Sequence, residues 1–234
     1  MKCLSRLVLV FSILFLVFFI GPPFLNMQFS PYPLMKVGDV LDLFTPLVLI
    51  PLYWSLYWLG GNRPIGLRDS LIFMVFAALW VAGQSMHFAG NSIGHLLEDM
   101  KGTDVYRLTN FYDEVLSHYL WHFGIFALSA VLICKQWRNP LAEGQTLPWT
   151  VILAGIVYGF AHFMIVIEGA TAPMGVPFAV LAALFILVWG RKNLRQQPLL
   201  VFFLTAYLLA MVLFLGWGIY WRGLPEFSKV GIID

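Results

Sequence analysis

The chain has 234 residues, 60% of them hydrophobic and only 11% charged, whereas soluble globular domains are roughly one-quarter charged. That excludes an ordinary soluble domain, and an aromatic content of 17% excludes a disordered one. The net charge of +2 is dispersed along the chain and leaves no nucleic-acid footprint, while Cys3 and Cys134, each at the end of an apolar segment, make no disulfide framework. Apolar runs near the length that a bilayer-spanning helix needs predict a single all-α transmembrane domain over residues 1–234.

The first run, 7–25, follows Lys2 and Arg6 and has a signal-like look. No small-x-small cleavage site follows it, only Gly21-Pro22-Pro23-Phe24, so it reads as a retained first helix. Six further spans are predicted at 43–59, 70–97, 112–134, 149–168, 173–190 and 198–221, separated by breakers such as Gly60-Gly61-Asn62-Arg63-Pro64, Asn139-Pro140 and Pro198. With the N-terminus inside, the inner segments hold nine Lys and Arg and the outer ones five, which predicts N-terminus in and C-terminus out. Trp54, Trp58, Trp137, Trp149, Trp189, Trp217 and Trp221 fall near span ends, where aromatic belts lie. Short loops suit a multi-pass protein of a prokaryotic inner (plasma) membrane.

All five histidines fall between His87 and His162, in the third, fourth and fifth spans. Ionisable groups at membrane depth are costly and concentrate where function requires them. His87, Asn91 and His95 recur at i, i+4 and i+8, as do Glu114, His118 and His122, so each set forms one stripe on a helix face. Counting back from a turn centred on Asp104 sets His87 level with His122, Asn91 with His118 and His95 with Glu114. The fifth span then brings His162 level with His118 and Glu168 level with Asp113. Three polar stripes are thus expected to converge in the outer half of the bundle.

Metal binding is the chemistry that needs such an arrangement, because imidazoles one turn apart reach one ion and a third completes a facial set. The expected ligands are His87, His118, His122 and His162, with Asp113 or Glu114 as general base and Glu168 as a second acid or orienting group. Ser85, Asn91, His95 and Tyr158 are the expected supporting partners. A divalent metal, zinc first, is the expected cofactor; iron or copper is the alternative, and His87 with His122 at equal depth also suits b-haem ligation. The plainer reading of each histidine is an interhelical hydrogen-bond partner. Glu98, Asp99 and Asp104 read as loop solvation. Asp39 and Asp42 precede the second span and read as caps, and Gly155 and Gly159 read as sites of close helix approach.

The pieces Ser85-Met86-His87, Asp113-Glu114 and His118-Tyr119-Leu120-Trp121-His122 resemble the alkaline ceramidase/adiponectin-receptor superfamily of seven-helix membrane zinc hydrolases. The family carries its His-x-x-x-His pair on the seventh helix, whereas here it lies on the fourth. The resemblance implies zinc-dependent hydrolysis of a lipid amide or ester. A membrane lipid or hydrophobic small molecule is accordingly the expected partner, with oligomeric state open. The other readings are a non-haem iron or copper oxidoreductase, a b-haem electron carrier, a metal or proton transporter, and a scaffold subunit of a membrane complex. The nearly wholly apolar inner stretches 71–80, 123–133 and 151–157 favour a one-sided pocket over a through-path.

Overall fold

The computed structural model describes residues 2–62, 64–141 and 148–233; Arg63, counted in the charge asymmetry, lies outside them, as do the side chains of Lys2 and Lys192. Seven helical rods are long and apolar enough to cross a membrane: Cys3–Ile20, Val37–Leu59, Leu67–Met100, Asp104–Arg138, Trp149–Glu168, Ala172–Gly190 and Pro198–Trp221. The chain is therefore an all-α, multi-pass membrane protein, as composition predicts. Its α-helices are α1 (Lys2–Ile20), α2 (Val37–Leu59), α3 (Leu67–Gly94), α4 (Asp104–Asn110), α5 (His118–Arg138), α6 (Trp149–Glu168), α7 (Ala172–Phe185) and α8 (Pro198–Trp221). A π-helical segment, Phe111–Ser117, welds α4 to α5 into one rod.

Local chemistry sets several boundaries. α1 stops where Pro22 and Pro23 remove two N–H donors, and the chain continues as a short 3-10 turn, Pro22–Phe24. α2 starts at Val37, six residues earlier than expected, because Asp39 Oδ2 accepts the Lys36 N–H at 2.9 Å. Asp39 thus acts as the expected cap from within the first turn, whereas Asp42 is not a cap at all. It lies inside the helix and is buried. Pro46 and Pro51 do not break α2, since Thr45, Pro46, Leu49 and Tyr53 are buried against neighbouring helices that hold it continuous.

α1 belongs to the core rather than the periphery. Phe11 and Phe15 are fully buried, and Phe11 contacts Tyr53 of α2, Tyr158 of α6 and Phe202 of α8 with ring centroids 4.6, 5.8 and 6.4 Å away. α6 packs most extensively on α8 and on α1, and α3 on α5. As expected for Gly155, a Cβ there would lie 2.7 Å from the Phe202 carbonyl oxygen of α8. Mid-bundle, the hydroxyls of Tyr53, Ser129 and Tyr158 close a three-membered ring at 3.0, 3.1 and 3.2 Å, joining α2, α5 and α6.

At the end of the bundle carrying residues 60–62, 139–141 and 191–197, a buried glutamine stitches three elements. Gln136 Oε1 accepts from the Leu199 and Leu200 N–H groups at 2.5 and 3.2 Å, while its Nε2 donates to the Gly60 carbonyl at 3.2 Å. The first N–H groups of α8, which no helix can satisfy internally, thereby receive a partner from α5.

Candidate functional site

A cavity of about 690 Å3 opens at the opposite end, between residues 21–36, the α3–α4 turn, the α6–α7 turn and the C-terminal tail. Its polar lining includes Asp39, Asp42, His87, Glu114, His118 and Glu168.

Helix packing delivers these groups. Gly90 lets the rod of α4 and α5 approach α3 so closely that a Cβ on it would stand 2.8 Å from Asp113 Cβ. Asp113 lies in the π-helical segment, whose wider turn directs Asp113 toward α3 while Glu114 lines the cavity. Segments of this kind are frequent at functional sites. The Ser117 hydroxyl donates to the Asp113 carbonyl.

His87 stands at the centre. Its Nδ1–H donates to Asp113 Oδ1 at 2.7 Å, and its Nε2 faces Asp42 Oδ2 at 3.9 Å. Donation of Nδ1–H to this carboxylate fixes the ring's orientation and, whenever the ring is neutral, leaves Nε2 as the acceptor. The ring of His118 is 4.8 Å from that of His87, and its Nδ1, buried without a hydrogen-bond partner, lies 4.0 Å from Glu114 Oε2. Asn91 donates to Asp39 Oδ1 at 3.1 Å, which fixes the carboxylate beside Asp42. Trp121 also lines the cavity, and its indole N–H is buried and unpartnered.

The expected register needs correction at two places. The reversal between α3 and α4 is centred on Gly102, whose φ of +93° admits the turn that most residues resist, and not on Asp104. His87 consequently sits beside Asp113 and His118, and not level with His122. Asn91 faces Asp39 and not His118. This removes the equal-depth pair on which b-haem ligation rested. His162 lies about two turns deeper than expected: its ring is 5.2 Å from that of Phe126, whose ring is in turn 5.7 Å from that of His122. The depth count assumed helices ending in one plane, whereas Asp104–Arg138 spans 35 residues and overshoots the 20 of Trp149–Glu168.

The four expected histidine ligands therefore do not form one set. His87 and His118 share the cavity. His122 is fully buried against Trp121, with ring centroids 3.6 Å apart, and beside Gly169; His162 is fully buried among Phe126, Tyr207 and Phe214. Among the described residues, no group of three or more His, Cys, Asp or Glu is placed to hold a metal ion. Of the supporting residues, His95 lines the cavity, Ser85 is exposed on the opposite face of α3, and Tyr158 belongs to the hydroxyl ring. Glu168 lines the cavity, but its Oε2 accepts the N–H groups of Phe227 and Ser228 at 2.8 and 3.3 Å and so holds the tail.

Two contributors escaped the sequence reading. Asp42 follows Asp39 by one turn in an otherwise apolar segment, a spacing that marks a shared helix face rather than two caps. The tail residues Glu226, Ser228 and Lys229 also line the cavity. Glu226 lies 2.6 Å from the Lys229 ammonium and holds its pKa above the ordinary lysine value.

No family model, curated protein or solved structure matches the chain.

Proposed function

We propose that the protein is an integral-membrane hydrolase acting on a lipid amide or ester, with the cavity beside α2, α3 and the α4–α5 rod as its active site. The observation that carries the reading is the His87–Asp113 pair at 2.7 Å, with the second imidazole nitrogen left free above Asp42. His87 is the general base that takes a proton from water, and Asp113 orients the ring and stabilises the imidazolium that forms. The unpartnered indole N–H of Trp121 and the imidazole of His118 are the donors available to a developing oxyanion. Asp42 or Glu114, in its acid form, returns a proton to the leaving group. The cavity's position at one end of membrane-spanning helices supports a substrate drawn from the bilayer.

The test is release of fatty acid from a panel of lipid esters and amides by the purified protein, with His87→Gln as the control. Activity in the wild type that falls at least 100-fold in His87→Gln supports the reading; an undiminished variant overturns it.

A second reading is favoured by the two donor pairs, Asp42 with His87 at 3.9 Å and Glu114 with His118 at 4.0 Å, and by the unpartnered His118 Nδ1. A carboxylate holding the far nitrogen of a histidine, as Asp113 does for His87, is the usual support of a metal-ligating imidazole. These four side chains do not stand as a ligand set among the described residues, so a zinc ion, which would supply Lewis-acid chemistry, would require Asp42, His87, Glu114 and His118 to draw together on binding. Elemental mass spectrometry decides: about one zinc per chain, lost in Asp42→Asn, selects this reading over the metal-free one.

A further inference from the structure

We infer that residues 222–233 form a hinged strap that closes the cavity, latched by Glu168 and Phe227. This inference is independent of the chemistry proposed for the cavity.

The strap begins at a sharp break. α8 ends with Arg222 at φ +54°, a left-handed conformation that side chains other than glycine seldom adopt, and Gly223 follows. The chain then turns back across the bundle end. The Trp217 indole N–H donates to the Pro225 carbonyl at 2.9 Å, which sets the direction of return.

Two contacts hold the far part. The Phe227 ring is 3% exposed, with centroids 5.6 Å from Phe163 and 4.7 Å from Trp217. Beside it, Glu168 Oε2 accepts the Phe227 and Ser228 N–H groups, two donors at the start of the short helical turn Ser228–Val230 that have no partner within it. Most of the remaining strap is solvent-accessible: Arg222, Gly223, Leu224, Ser228 and Lys229 are all exposed. Apart from the Trp217 bond to Pro225 at its base and Ile233 packed partly buried against the core at its far end, the segment is held by one buried ring and one carboxylate. So few contacts place it at the low-stability end of the fold, able to open without disturbing the helices.

What it covers gives the opening its consequence. Glu226, Ser228 and Lys229 form one wall of the cavity that contains His87 and His118. Release of the latch removes that wall, so the strap governs entry from the aqueous side.

The test places a reporter thiol in the cavity lining. In a Cys3→Ser/Cys134→Ser background, Gln84→Cys introduces a thiol at a residue that lines the cavity and is 2% exposed. Its reaction rate with a membrane-impermeant maleimide is compared with and without Glu168→Ala or Phe227→Ala. Each latch variant is expected to raise the rate about ten-fold or more, Glu168→Ala through loss of hydrogen bonds to a charged group and Phe227→Ala through loss of a buried ring. An unchanged rate in folded latch variants overturns the inference. Hydrogen exchange of the unaltered chain gives an independent reading: the Phe227 and Ser228 amides are expected to be protected and to exchange by opening of 222–233 alone. Exchange at the unprotected rate, or only on unfolding of α8, overturns it as well.

Discussion

His87 and Asp113 meet at 2.7 Å across 26 residues of sequence, and the contact exists because neither residue is where simple helix counting puts it. Gly102 turns the chain early, Gly90 admits the opposing rod, and the π-helical segment rotates Asp113 toward α3. If this pair is the acid–base unit, Asp113→Asn keeps the shape and loses the orienting charge. Hydrolysis is then expected to fall by about 10²–10⁴-fold with the melting temperature nearly unchanged. Turnover measured beside thermal unfolding checks it, and a fall in both together would assign Asp113 to folding alone.

Gly90 and Gly94 make a matched pair for testing the helix approach. A Cβ at Gly90 collides with Asp113 at 2.8 Å, whereas one at Gly94 finds its nearest neighbour at 4.0 Å. Gly90→Ala is expected to cost about 1–3 kcal/mol through overpacking. Gly94→Ala is expected to be neutral or slightly stabilising, because alanine is the better helix former by about 1 kcal/mol. Denaturation of both variants in the same detergent separates them; equal effects would mean that α3 and the α4–α5 rod do not pack as described.

Gln136 supports α8 from outside it. Gln136→Leu keeps the volume roughly but leaves the Leu199 and Leu200 N–H groups and the Gly60 carbonyl without that partner. A loss of about 2–4 kcal/mol is expected from several buried groups left unsatisfied. Hydrogen exchange should localise it to the first turn of α8; protection unchanged there would contradict the assignment.

The hydroxyl ring is a coupling experiment. Tyr53→Phe and Ser129→Ala each remove a member of the ring and are expected to cost about 1 kcal/mol apiece. The double variant should cost less than the two together, since a member already deprived of one partner has less to lose. Additive losses would show that the three hydroxyls do not act as a unit.

Composition and apolar periodicity were enough to read seven spans and an all-α fold, because a bilayer leaves a chain few ways to satisfy its backbone and each spanning helix must carry its own apolar run. The i, i+4 stripes of His87 with Asn91 and of Glu114 with His118 were legible for the same local reason, and each lines the cavity. Which residue meets which across helices was not legible. Depth depends on where each helix overshoots its neighbours, and that is decided by a turn at Gly102, a widened segment before His118 and helices of unequal length, none of which leaves a periodic signal. His162 thus joins an aromatic core, Asp42 rather than His122 faces His87, and Glu168 holds the tail. The sequence by itself determined the helices and the faces they present, since those follow from neighbours within one or two turns. Only the tertiary structure decided the registers between them, because a single turn of relative displacement costs little in burial yet changes every partner across the interface.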